Sequence, residues 1–504
     1  MAFVQNFPSF SILLCMAGGI FTSVMRPKAA RYFTIMISAA VTAMSIALFV
    51  FMLEHKESYA YMMGQFPAPF GNELHIGRME TLLAAVLSAI MLLTQLSGFF
   101  MLDDHVSIQK QNLYFIMMDL ALAALLVMLY TNDIFTAYVF IEINTIAACA
   151  LIMVRQNGHT LVATMRYMIM NLLASAMVLL GIAMLYGITG HLLIPGLYQN
   201  VQALFETGEY AIPLTAVIIL LTVGLCTKCA LFPFHVWAPG AYSYAPPVSS
   251  ALLSGLVSKG YIFLLVKIYY RVFGMNVVHH SQVLTLLFIF GILGIIIGSI
   301  TAIKQHDIRW MIAYSSVSQI GYIALGIGVG TDAAVSASVY HMLSHAAGKT
   351  LLFISAAGLT AVSADSKRFR YLHGSGYRSI PSGIAFTIGA FSMVGIPFTA
   401  GFISKLRLSL AGMEAGGFYR PAVVLTLAAS TLLSAVYFLH TVISIYRRQS
   451  PEAIAIIAEE GTKVRTMTRG AGVALILLSL ITVALGIFSS PVLRIFQQEL
   501  HMFY

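Results

Sequence analysis

The residues best suited to chemistry in this chain are bases and one acid set inside long apolar stretches. Lys228, Lys259, Lys349 and Lys405 each lie in such a run. Glu142 lies in another, and His341 and His345 precede Lys349 by two turns and one turn of helix. A charge at the centre of a bilayer costs at least ~2.5–3.5 kcal/mol, so residues placed there mark ion or proton paths. Four lysines and a carboxylate are poorly explained as packing. Together they could pass protons or cations along a membrane protein.

Glu142 stands about nine residues into the run AYVFIEINTIAACALI, and Lys228 is its natural partner. Lys228 would hold its proton while the acid is charged and close, and release it when the pair is disrupted. A static ion pair is the plainer alternative, but buried pairs add little stability. Lys259 follows Ser254 and Ser258, which would help hydrate it; a snorkelling lysine is the alternative there. His341, His345 and Lys349 are spaced i, i+4, i+8 and form one stripe on a helix, with the hydroxyls of Ser344 and Thr350 nearby. An imidazole titrates near neutral pH and carries a proton on either nitrogen, so the stripe reads as a short relay. A metal would need a third ligand from His306, His235 or Glu142, and no metal or other cofactor is expected. Lys405, with Arg407 two residues on, would end the series near the outer exit. Asp119, Glu80, Gln319 and His235 beside Trp237 are accessory candidates. Cys226 and Cys229 flank Lys228 as CxxC, but in an apolar run they read as small packing residues.

The elements that must position these residues are membrane helices. Of 504 residues 59% are hydrophobic and 9% charged, against roughly 25% charged in soluble chains. Spans of about 20 residues are expected at 6–25, 32–53, 78–102, 113–130, 134–153, 163–188, 212–236, 248–272, 283–303, 308–329, 333–359, 380–408, 421–446 and 471–491. The fold class is all-α integral membrane, with about fourteen transmembrane helices and no barrel-type strand alternation. The stretches 54–77, 189–211, 361–379 and 447–470 read as loops, with a short surface helix over 451–460. Prolines 233, 239, 246 and 247 after Lys228, and Pro397 before Lys405, should interrupt spans seven and twelve, because proline removes a donor and clashes with the preceding turn. Paired broken helices point to inverted repeats with sites near the midplane. Spans four to eight (113–272) and nine to thirteen (283–446) would be those repeats, preceded by residues 1–112 and followed by 447–504. The two lysines are 177 positions apart, and the same offset carries Glu142 to Gln319.

Loops after odd-numbered spans hold seventeen Lys and Arg, against six on the other side. The positive-inside rule then puts the basic loops in the cytoplasm and both termini outside. The net charge of +9 reflects that bias and the buried lysines, and nucleic-acid binding is not expected. The first apolar run lacks a basic segment before it and reads as a retained helix, not a cleaved leader. The chain stops soon after span fourteen, which leaves no room for a long lateral extension.

The order lysine, proline, histidine, tryptophan, proline from Lys228, followed by APPVSSALLSGLVSKG to Lys259, resembles the antiporter-like subunits shared by respiratory complex I, Mrp-type sodium/proton antiporters and membrane-bound hydrogenases. Glu142, the stripe His341, His345 and Lys349, and GIPFTAGFISK ending at Lys405 are similar to the same family, over about residues 75–445. That resemblance implies that Glu142 and Lys228 are a gating ion pair, Lys259 and Lys349 a central relay, and Lys405 the distal base. Where the family often has histidine after the double proline, this chain has Ser254. The resemblance implies an inner (plasma) membrane location, and partners that include homologous antiporter-like subunits, small membrane subunits and peripheral redox subunits. A free-standing secondary transporter of a small solute or cation is the alternative, and a scaffold subunit that has lost pumping would lack these lysines.

Overall fold

The computed structural model describes residues 3–66, 71–448 and 465–501. The expected helix at 451–460 lies outside them. The long helices are α1 (Phe7–Val24), α2 (Pro27–His55), α3 (Arg78–Gly98), α4 (Ile108–Tyr130), α5 (Ile134–Met153), α6 (Gly158–Thr189), α7 (Ala211–Lys228), α8 (Pro247–Phe273), α9 (Val283–Ile303), α10 (Ile308–Val329), α11 (Asp332–Ala361), α12 (Ile380–Val394), α13 (Ala400–Ala415), α14 (Tyr419–Tyr446) and α15 (Arg469–Ile487). Shorter helices are named by their residues. Local chemistry sets many of the starts. Asp133 accepts from Thr136 N at 2.6 Å, Asn157 forms a capping box with Thr160, and Asp307 accepts from Arg309 N at 2.7 Å. Each fills an amide that a helix start leaves unpaired.

Twelve helices among the described residues are long and apolar enough to cross a membrane. The two other expected spans are α11 and the α12–α13 pair. α11 is 30 residues long, but its histidines, lysine and small polar residues dilute its apolarity. Every residue from Ala334 to Ala361 is buried, so this helix sits at the centre of the bundle and meets no lipid. A helix packed on all sides by protein can carry polar groups that a lipid-facing helix cannot. α8 is likewise buried along its length.

Both proline-bearing spans are interrupted. α7 ends at Lys228, not near 236, because the chain then turns through Ala230 at φ +63° towards Pro233. It resumes as the short helix Trp237–Tyr244, whose Trp237 indole donates to Thr227 O at 3.0 Å. α12 ends at Val394, Gly395 takes φ +89°, and α13 begins at Ala400. Pro397 follows Pro233 by 164 positions, whereas the lysines are 177 apart. Lys228 therefore precedes its break and Lys405 follows its own, so the lysine spacing does not superpose the breaks, and the match of Glu142 to Gln319 loses its footing.

Four readings need correction. Residues expected to be loop at 54–77 include a two-stranded antiparallel hairpin, β1 (Tyr59–Met62) and β2 (Glu73–Ile76), where alternate residues Leu74 and Ile76 turn inward. The expected loop 189–211 holds the amphipathic helix Ile194–Thr207, which buries Ile194, Leu197 and Val201 on one face. The stretch 361–379 holds the short helix Ser375–Arg378. Finally, Lys267, Arg271 and Arg309, counted above as loop charges, are buried at 3%, 6% and 4% exposure. Without them the basic-loop count becomes sixteen against four, and its sense is unchanged.

Close packing at the α9–α10 pair comes from glycine. A Cβ on Gly298 would lie 2.7 Å from Ser318 N, and one on Gly291 would lie 2.5 Å from Leu325 N. Small residues let two helix backbones approach where no side chain could fit between them. That approach brings Ser299 and Ser318 into contact at 2.9 Å.

Candidate functional site

The site begins where α5, α6 and α7 meet. Glu142 on α5 accepts a hydrogen bond from the Ser175 hydroxyl of α6, and its Oε1 lies 3.6 Å from Lys228 Nζ. Lys228 is buried at the last turn of α7. Its ammonium donates to Thr145 Oγ1 at 2.9 Å and lies 5.7 Å from the centre of the Tyr261 ring. Thr145 is one turn from Glu142, so α5 presents both an anion and a hydroxyl to one lysine. Tyr261 belongs to α8, two residues past Lys259, and its hydroxyl accepts from Asn144 Nδ2 at 3.0 Å. The first ion pair thus abuts the helix that carries the next base.

Lys259 follows a wide π turn at Leu253–Val257. In such a turn hydrogen bonds span five residues instead of four. The Lys259 ammonium donates to Ser254 O, five residues back, and to Ser258 Oγ at 3.1 Å. Ser254 Oγ meets Ser316 Oγ of α10 at 2.9 Å. Its neighbour Ser315 accepts from the Lys349 ammonium, which also donates to Ile312 O at 3.1 Å and lies 5.8 Å from the Phe438 ring centre. Two adjacent serines of α10 thereby link the two central lysines. The position at which histidine is absent, Ser254, is the contact that makes this link.

On α11, the His341 and His345 rings stack with centres 6.5 Å apart. Neither nitrogen of His345 has a hydrogen-bond partner among the described residues. His341 Nδ1 lies 2.8 Å from Ser404 Oγ, one residue before Lys405 on α13. The Lys405 ammonium reaches back across the break to Met393 O at 3.0 Å and Val394 O at 2.8 Å, with Tyr322 at 5.0 Å. Carbonyls at the end of α12 have no helical partner and form the negative end of its dipole, which suits an ammonium. The structure therefore brings Glu142, Lys228, Lys259, Lys349, His345, His341 and Lys405 into one series across α5, α7, α8, α11 and α13.

The accessory residues fare differently. Gln319 is buried on α10 between Ser315 and Tyr322, and its side-chain amide has no partner among the described residues. Asp119 is buried on α4 and accepts from Thr34 Oγ1 at 3.2 Å, among the first helices and apart from the series. His235 stacks on Phe232, with ring centres 5.4 Å apart, in the loop after α7. Cys226 and Cys229 are free and buried. No cluster of metal-ligating residues occurs among the described residues.

One charged group was underestimated. Glu80 at the start of α3 is fully buried against Arg271, 3.8 Å from His75 Nδ1, and His75 Nδ1 lies 3.0 Å from Arg271 Nη1. Lys267, one turn before Arg271, donates to Leu129 O at 2.5 Å and Thr131 O at 3.1 Å, at the end of α4. Burial and the Arg271 charge lower the His75 pKa below its usual value. The signal was present in the sequence: Lys267 and Arg271, spaced i, i+4, share a helical face and fall inside the expected span 248–272.

A family profile described as NADH:quinone oxidoreductase/Mrp antiporter, transmembrane, matches residues 131–434. The chain is 34% identical over 422 residues to an NADH-quinone oxidoreductase subunit N of Desulforudis audaxviator, covering 84% of this chain and 82% of that one. It is 27% identical to a subunit of the Na(+)/H(+) antiporter of Bacillus subtilis, covering 76% and 74%. It is 32% identical to F(420)H(2) dehydrogenase subunit N of Methanosarcina mazei, covering 56% and 58%. The fold is similar to chains of the archaeal membrane-bound sulfane sulfur reductase (TM-score 0.84, 24% identity, 99% and 97% covered) and of the Mrp complex from Dietzia sp. DQ12-45-1b (0.86, 22%, 100% and 98%). With a profile spanning more than half of its length and a relative of this identity and coverage, the chain belongs to the NADH:quinone oxidoreductase/Mrp antiporter family of multi-pass membrane proteins.

Proposed function

We propose that the chain translocates protons as an antiporter-like subunit of a larger membrane complex. The observation that carries this reading is a central set of contacts: Lys259 donates to the Ser254 carbonyl, the Ser254 hydroxyl meets Ser316, and the next residue, Ser315, accepts from Lys349. It brings two buried ammonium groups on different helices up to neighbouring serine hydroxyls of α10, which can both donate and accept. Charge on one lysine raises the electrostatic cost of charge on the next, so a proton arriving at one end favours movement at the other. Glu142 and Lys228 act as the gate, Lys259, Lys349 and the two histidines as the relay, and Lys405 as the terminal base. The series runs from helix to helix at mid-depth, along the membrane plane more than across it.

Sodium would call for oxygen ligands, and the series is rich in nitrogen bases, which favours protons. The charges are spread over five helices, unlike the compact cluster expected of a solute carrier, and this favours a relay over the free-standing transporter. The relatives are named as subunits of oxidoreductases and antiporters, which supports partner subunits here, with redox chemistry placed in them. The charge bias supports an orientation with the basic loops in the cytoplasm. Proton transport in sealed vesicles tests the reading. Lys349→Ala should abolish it, and His341→Ala should only slow it, since water replaces an imidazole in a relay more readily than a charge. Full transport by Lys349→Ala would end the proposal.

A further inference from the structure

On the face that carries most of the basic loops, a cavity of about 340 Å³ is lined by Gln305, His306, Phe369, Tyr437 and His440, among others. His306 and His440 are exposed, whereas Tyr437 is 4% exposed. The Tyr437 hydroxyl lies near enough to Ser299 to interact with it, but meets no partner with full hydrogen-bond geometry among the described residues. Leaving a buried hydroxyl unserved costs ~1–3 kcal/mol, and a space of this size, mostly apolar but carrying two imidazoles and the Gln305 amide on its wall, can hold water. Beyond it, Ser299 Oγ meets Ser318 Oγ at 2.9 Å across the glycine-packed α9–α10 pair. Ser318 is one turn from Ser315, which takes the bond from the Lys349 ammonium. Phe438, next to Tyr437, forms the wall beside that ammonium.

We propose that Tyr437, Ser299 and Ser318 form a proton-uptake limb that feeds Lys349 from the cavity between His306 and His440. It rests on the proton reading of the central series. A proton taken at a cavity imidazole passes to water and then to a hydroxyl oxygen, which releases its own proton onward. Each hop moves one positive charge and leaves the hydroxyl intact. Around the mouth, His373 stands close to His440 and Arg447. At the inner end, Tyr322 stands close to Tyr437, and Lys259 acts on Lys349. Among the described residues no hydrogen bond joins Tyr437, Ser299 or Ser318 to a base of the central series, so the limb is a separate requirement for activity. It enters the line at its middle, between the gate and the terminal base.

The test uses the purified complex in proteoliposomes under an imposed membrane potential, with pH varied on the basic-loop side. Tyr437→Phe keeps the ring and removes the hydroxyl. It should slow transport about tenfold, the equivalent of a barrier raised by about 1.4 kcal/mol, and the rate should follow pH on that side more steeply than in the native protein. Ser299→Ala should do the same, and it carries the test if Tyr437→Phe does not assemble. Native rates in both variants across the pH range would overturn the limb. A slowing equal at every pH would mark a structural role and would also overturn it. Lys349→Ala run alongside keeps the two readings apart. If it is inactive while Tyr437→Phe and Ser299→Ala are normal, only the limb falls; if it transports fully, the series itself falls.

Discussion

Gly401 should be among the least replaceable small residues in the chain. It is the second residue of α13, and a Cβ there would lie 1.7 Å from Ser392 O and 2.8 Å from Ser392 C. Real contacts of this kind stay above 3.0 Å, so Gly401→Ala must move the two backbones apart by about 1.3 Å. No rotamer change can absorb this, because both atoms are fixed to backbone. The Lys405 bonds to Met393 O and Val394 O, at 3.0 and 2.8 Å, cross the same gap. A shift of that size passed to them would carry both to about 4 Å, beyond hydrogen-bond range. Overpacking of this kind costs ~1–3 kcal/mol. Thermal melting of the complex in detergent and proton transport in vesicles should both fall, with transport reduced tenfold or more on the scale of ~1.4 kcal/mol per decade. Gly187→Ala on α6, which would meet nothing within 4 Å, should leave both at native values. A Gly401→Ala protein that melts and transports normally would refute the tight crossing and its role in placing Lys405.

Other expectations follow from the charged groups. Glu142→Gln and Lys228→Ala should each strongly reduce transport while the complex still assembles, as read by particle size, because Ser175 can still donate to the amide oxygen in the first variant and Thr145 keeps its bond to Ile141 O in the second. Glu80→Gln should instead lower stability by ~3–5 kcal/mol, since it takes the carboxylate away from the buried Arg271 charge; the double change with Arg271→Met should recover part of that loss in thermal melting. Because the folded-state pKa of His75 is depressed, stability is full above the unfolded value near 6.5 and declines as pH falls through it towards the folded-state value. Melting temperature should therefore drop on mild acidification, and His75→Asn should flatten that dependence.

Much of the site could be read from residue types because a charge in an apolar run has few structural reasons to be there. Glu142, Lys228, Lys259, Lys349 and Lys405 all announced themselves in this way, and the i, i+4, i+8 spacing put His341, His345 and Lys349 on one face. The proline runs located both helix interruptions. What the pattern could not supply was the connecting hydroxyls. Ser315, Ser316 and Ser299 are small residues with no spacing signature; Ser315 and Ser316 emerge only once α10 is placed against α8 and α11, and Ser299 only once glycines let α9 and α10 close together. Lys267 and Arg271 were counted with a loop although they fall inside the expected span 248–272, since basic residues in the last turns of a span read as its water-facing end. The hairpin was missed because four-residue strands with mixed composition give little alternation to detect. The helix ends near Lys228 moved because the turn at Ala230 needs a left-handed residue that the sequence does not advertise with glycine.

The π turn before Lys259 is one of two on α8, the other being Tyr269–Phe273. Each such turn amounts to one residue inserted into an otherwise regular helix, and one residue of α-helix corresponds to ~100° of rotation. The pair acts as a phase setting on a shaft. The first determines which way Lys259 and Lys267 are aimed, and the second resets the direction after them. Deleting a single residue within Leu253–Val257 would keep every charge in the composition and shorten the helix by ~1.5 Å. It would also turn Lys259 a quarter-revolution away from Ser254 and Lys267 away from the end of α4. The order of bases along this chain is therefore a matter of angle as much as of sequence, and a one-residue gap is enough to disengage it.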